Sequence, residues 1–249
     1  MKKNTRVITL IVSVLMLVFV IDLMNTSCKR KKEEEEPSYP EPVTWSPDPV
    51  NGHVPEQVLP QSLATEIAEH FTVYSGVTPA KVHGDFLSHP HILKYSTLNE
   101  DTIGTVNNDR YISFERNGED RIDFYGKQWD DEHDSFYEEV YRKINVVGTG
   151  ENFSCYYITE GYPNGLYAKQ STIFSGKWTD LLGGIGDFEV AVILLETSNN
   201  PNLASPGTYR VLGDGDGLAE NYPWLHVKSS VKEDVTHSSE DAFRMFRVK

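Results

Sequence analysis

Beyond Tyr74 the chain is cut into short runs in which apolar residues occupy every second position, and Gly, Asn, Asp or Pro closes each run. Ile112 and Phe114 flank Ser113; Ile122 and Phe124 flank Asp123. A period of two sends alternate side chains to opposite faces of a strand, so this pattern specifies antiparallel sheet with one buried face. Strands are expected at 81–87, 109–115, 121–125, 141–147, 152–159, 166–178, 188–197, 208–212 and 243–248. Asn117-Gly118 and Asn164-Gly165 are hairpin dipeptides, because both residues tolerate the positive φ of a tight turn. Val190 to Leu195 is apolar at every position and should be a central strand covered on both faces.

About ten strands at this spacing make an antiparallel β-sandwich or β-barrel. One short helix precedes them: Leu63, Ala64, Ile67, Ala68 and Phe71 recur at helical spacing, with Ser62 as the expected cap. No alternation of strand and helix points to a doubly wound sheet. Thirteen Tyr, eleven Phe and four Trp agree with β structure. The expected organisation is a targeting segment over 1–27, a tether over 28–59 and one β-rich domain over 60–249.

The targeting segment follows from Lys2, Lys3 and Arg6, ahead of fifteen residues from Val7 to Ile21 that are apolar except for Thr9 and Ser13. Fifteen is short for a membrane span, which needs about 20, and suits the core of a secretory signal. The tether follows from the run Lys29 to Lys32, then Glu33 to Glu36, and from seven of the chain's thirteen prolines between Pro37 and Pro60. Proline at that density favours extended polyproline II over helix or central strand. Trp45 within it is expected to dock back onto the domain. A net charge of −14 over 249 residues excludes nucleic acid as the main partner, since phosphate binding needs a basic face.

Asn25-Thr26-Ser27-Cys28, small residues before a cysteine at the end of the apolar run, resembles the lipobox of bacterial lipoproteins. That resemblance implies cleavage before Cys28, diacylation of its thiol and acylation of the new amino terminus. The charged tract behind Cys28 is similar to that of Bacteroidetes lipoproteins, which implies an outer-membrane protein facing the cell exterior. The stretches Leu194 to Pro201 and Gly207 to Glu220 resemble segments of uncharacterised small Bacteroides lipoproteins and imply no activity. If Cys28 carries lipid, Cys155 has no partner in the chain; alternating with Phe153 and Tyr157, it reads as a small buried hydrophobe.

No nucleophile elbow, phosphate-binding loop or dinucleotide fingerprint is present, so no catalytic residue is assigned and no cofactor is expected. Asp214, Asp216 and Glu220 alternate in a glycine-rich loop, a weak calcium pattern with Leu218 where a further ligand would stand. A tight turn held by aspartate hydrogen bonds is the preferred reading. His83, His89 and His91 with Asp85 form a weak zinc pattern, because Pro90 interrupts a regular strand. The acids from Asp130 to Asp134, with Glu138 and Glu139, could serve glycoside hydrolysis only at a defined separation. Trp129, Tyr222 and Trp224 are the chosen sugar-stacking aromatics, taken from a set that includes Trp178, Tyr156, Tyr162 and Tyr167.

The expected function is therefore a non-catalytic, membrane-anchored module that binds a glycan or an outer-membrane partner. An accessory lipoprotein without a small ligand and a carboxylate hydrolase are the alternatives. Replacing Cys28 with Ala should abolish incorporation of labelled fatty acid and leave the signal attached. Undiminished labelling of the variant would remove the lipoprotein assignment.

Overall fold

A computed structural model of the chain describes residues 40–116, 121–130, 135–178, 181, 183–222 and 243–247; for 129–130 and 135–142 it describes backbone alone. Residues 1–39, which hold the expected signal, Cys28 and the charged tract, lie outside the described residues. From Pro40 onward the chain belongs to one compact unit. Among the described residues no helix is long and apolar enough to cross a membrane.

The protein is mainly β, and the sheet closes into an antiparallel barrel of 8 strands with further strands outside it. In chain order the strands are β1 (Val43–Trp45), β2 (Val77–Thr78), β3 (Gly84–Ser88), β4 (His91–Ser96), β5 (Val106–Asn107), β6 (Arg110–Arg116) and β7 (Arg121–Asp130). They continue with β8 (Ser135–Thr149), β9 (Asn152–Gly161), β10 (Ala168–Trp178), β11 (Gly184–Thr197), β12 (Tyr209–Asp214) and β13 (Leu218–Asn221). The closed circuit runs β9-β8-β7-β6-β3-β13-β11-β10 and returns to β9.

Three long strands produce both the barrel and its extension. The first half of β9 pairs with β8, while Ile158 to Glu160 pair with β1. The first residues of β11 pair with β13, and Glu189 to Ile193 pair with β12, which carries β4 and β5 beyond it. Between them β10 pairs along its length with both. A hydrophobic core covers each face of this three-stranded wall, which is why Val190 to Leu194 lack alternation and are all buried.

The inner face is filled by aromatic rings. Phe86, Phe114, Phe124, Phe153, Phe174 and Phe188 are buried in one cluster, with the Phe124 and Phe174 centroids 4.6 Å apart. An eight-stranded barrel is at the size where side chains alone can fill the interior, and here they do. Cys155 lies fully buried in this cluster, and burial pushes its thiol pKa up, as befits an inert packing residue. On the outer face Tyr156, Ile158, Ile173, Ala191 and Ile193 form a second core against Val58, Phe71 and Ile67 of α1 (Gln61–Ile67).

Several local expectations change. Helix α1 is capped by Pro60, with no side-chain cap bond, and Ser62 lies inside the first turn. The Pro60 carbonyl accepts from the amides of Leu63 and Ala64, and the fixed φ of proline suits a helix start. The expected strand over 243–248 is a 3₁₀ turn over Arg244–Phe246, because one such turn sends both Phe243 and Phe246 into the barrel core. The connection 117–120, with Asn117-Gly118, lies outside the described residues, although β6 and β7 pair around it.

The largest change concerns residues 40–59, expected in the tether. They lie on the barrel wall: β1 joins β9, Ser46 donates to the Tyr156 carbonyl at 2.6 Å, and Asn145 Nδ2 donates to the carbonyls of Ser46 and Pro47 at 3.1 and 2.8 Å. Arg121 meets Asp48 at 2.8 Å, and Val58 is fully buried. A chain beginning at Pro60 should therefore melt about 10 °C or more below one beginning at Pro40. The loss is at least one buried aliphatic side chain and several hydrogen bonds, about 4 kcal/mol. Equal melting temperatures would show that this segment is not part of the folded unit.

Candidate functional site

Among the described residues, those singled out in the sequence are not brought together at one site. Trp224 lies outside the described residues, as do the acids 131–134, and for Trp129, Asp130, Glu138 and Glu139 only the backbone is described. Tyr222 directly follows β13, donates its amide to the Asp85 carbonyl at 2.8 Å and sets its half-buried ring edge-on to Tyr111, with centroids 5.6 Å apart. Trp178 is half-buried against the inner core and meets His83 edge-on at 4.9 Å.

The aspartate loop is built as a turn. Asp214 is buried; its carboxylate accepts from the amides of His89 at 2.9 Å and Asp216 at 3.1 Å. Asp216 accepts from the Leu218 amide at 3.0 Å, and Glu220 stands on β13 opposite Leu87. The two aspartates serve local hydrogen bonds, and burial pushes the Asp214 pKa up. Among the described residues no group of three or more His, Cys, Asp or Glu is placed to hold a metal ion.

The histidines separate in the same way. His83 bonds the Lys81 carbonyl, and His89 meets Asp109 on the surface at 2.5 Å. His91 is fully buried, with Nδ1 3.0 Å from the Ser88 hydroxyl and Nε2 lacking a partner. A Ser–His pair at zero exposure has no access to a substrate, so it forms part of the packed interior.

A contiguous solvent-facing constellation does exist on the outer face, at the end of the sheet where β1 begins. Val43, Glu160, Lys169 and Glu196 are successive cross-strand partners on β1, β9, β10 and β11, so their side chains share one face. Trp45 lies two residues along β1, 37% exposed, and its indole Nε1 donates to Glu160 at 3.4 Å. Lys169 lies between two carboxylates, 3.7 Å from Glu160 and 3.5 Å from Glu196. Tyr167 adds a hydrogen bond to Glu160; burial first, then the negative charges of Glu160 and Glu196, push its pKa up to about 12. Its phenol therefore stays protonated and donates. Tyr162, 37% exposed, packs edge-on against Tyr167 at 5.8 Å, and Leu166 is exposed beside them in the chain.

The chain builds this row through the β9–β10 hairpin. Asn164 and Gly165 adopt positive φ, 52° and 75°, and reverse the direction. The resulting register places Glu160 opposite Lys169. Both charges are therefore implied by the Asn164-Gly165 turn and their equal offset from it, a signal present in the sequence. Tyr162 and Tyr167 belong to the aromatic set that the sequence offers, and Trp45, expected to dock onto the domain, does so with 37% of its surface exposed. No protein-family model, curated protein or solved structure matches this chain.

His91 gives a pH prediction. Burial, then the charges of Arg110 and Lys94, lower its pKa from 6.5 to about 3. The unfolded chain then binds more protons than the folded one between these values, so stability should be complete above pH 6.5 and fall as pH drops toward 3. Chemical denaturation at pH 7 and pH 4.5 should show a clear loss in the wild type and a smaller loss in His91→Asn. Equal losses would mean that His91 does not remain neutral in the fold.

Proposed function

We propose that this chain is a lipid-anchored outer-membrane lipoprotein, acylated at Cys28 and facing the cell exterior, whose domain binds a glycan without catalysis. The observation that supports this most is the exposed row on the outer face. Trp45 and Tyr162 offer flat apolar surface, and Glu160 between them accepts from Trp45 and Tyr167. Sugar rings ask for this combination: an apolar face for their C–H groups and acceptors beside it for their hydroxyls. The filled barrel interior supports a surface site over an internal one.

A binding rather than hydrolytic role agrees with the placement of the described acids. Asp214 and Asp216 are engaged in turn bonds, and Glu160 is tied to Trp45, Tyr167 and Lys169. The test is a glycan-array screen of the full-length chain in a detergent that has no sugar headgroup. Binding should be lost about tenfold or more in Trp45→Ala, as expected for removal of one stacking ring. Equal binding by the variant, or no binding to any array glycan, would sink the proposal.

A further inference from the structure

Resting on that reading, we infer that the glycan is a neutral oligosaccharide of about three units, lying across the strands from Trp45 over Lys169 to Glu196. The direction comes from the register. Val43, Glu160, Lys169 and Glu196 mark one line perpendicular to β1, β9, β10 and β11. Neighbouring strands lie about 4.8 Å apart, so the line from β1 to β11 is about 14 Å long, the length of about three linked pyranose units. A ligand along a strand would meet different surroundings: from Glu160 inward the next outer-face residues, Ile158 and Tyr156, are fully buried under the second core.

The charge pattern sets the class of sugar. Glu160 and Glu196 are respectively 34% and 58% exposed at their side chains, while Lys169 between them is 17% exposed and engaged by both. The row therefore presents a neutralised cation with an acceptor on either side of it. Hydroxyl groups can donate to those carboxylates, whereas a uronate or sulfated sugar would bring like charge against them. Of the two exposed rings, Tyr162 follows β9 beyond Glu160, while Trp45 stands at the β1 end of the row. One ring stacks there beside Glu160, and the third unit reaches Glu196 through hydroxyl hydrogen bonds alone.

Ladders of one to six units of cello-, malto-, manno- and xylo-oligosaccharides, with an oligogalacturonate ladder as the acidic counterpart, test this by calorimetry on the full-length chain in detergent. One neutral ladder should gain about fivefold in affinity for each added unit up to three, the increment of one hydrogen bond, and gain little beyond. Glu196→Gln should weaken the trimer several-fold and leave the monomer unchanged, and Trp45→Ala should weaken every length. A monomer bound as tightly as the trimer, or preference for the acidic ladder, overturns the inference while the glycan-binding reading stands. Failure of all five ladders overturns the inference, and the reading falls with it if no array glycan binds either.

Discussion

The hydrogen-bonded pairing of β9, β10 and β11 is the constraint on which the rest of the molecule depends. Ten cross-strand residues of β10 are matched on β9 and ten on β11, so β10 can move only if both neighbours move. Each neighbour also pairs with two further strands, β8 and β13 closing the barrel and β1 and β12 extending the sheet beyond it. Two hydrophobic cores share this wall, one per face. Side chains on adjacent positions of one strand therefore stabilise different halves of the protein.

Polar groups within the wall tie the outer layer to it. Ser154 and Ser175 share a hydrogen bond at 2.6 Å, and the Tyr74 amide donates to Ser154 at 2.9 Å. Ser171 donates to the Val58 carbonyl at 2.6 Å. These hydroxyls are buried yet satisfied, and each adds about 1 kcal/mol while fixing where the outer segment crosses the sheet. Position, more than total stability, is what they contribute.

Much of the fold was legible because alternation survives wherever one face of a strand is exposed or polar, as around Ser113 and Asp123. It failed where tertiary context overrode local chemistry. Pro90 concealed β4, although that proline sits just ahead of the strand, where a missing amide costs nothing. Leu218 to Asn221 carries too few apolar residues to register as a strand and is held by β11 and β3. The prolines of residues 40–59 read as a free tether, yet Pro47 and Pro55 are buried, since proline's stiffness also suits a segment fixed against a wall. The candidate row was half legible: the Asn164-Gly165 turn implies Glu160 opposite Lys169, but neither Glu196 nor Trp45 can be placed beside them without the sheet order.

The attachment of β1 has a mechanical consequence. Tension arriving at Pro40 from the preceding chain meets the antiparallel pairing of Val43, Thr44 and Trp45 with β9 before it reaches anything else in the domain. That short ladder lies at the margin of the sheet, whereas the barrel behind it is closed. Under load the ladder yields first and takes Trp45 away from Glu160 while both cores remain intact. The strand is thus a fuse: pulling on the chain at Pro40 would part Trp45 from Glu160 before it unfolds the protein.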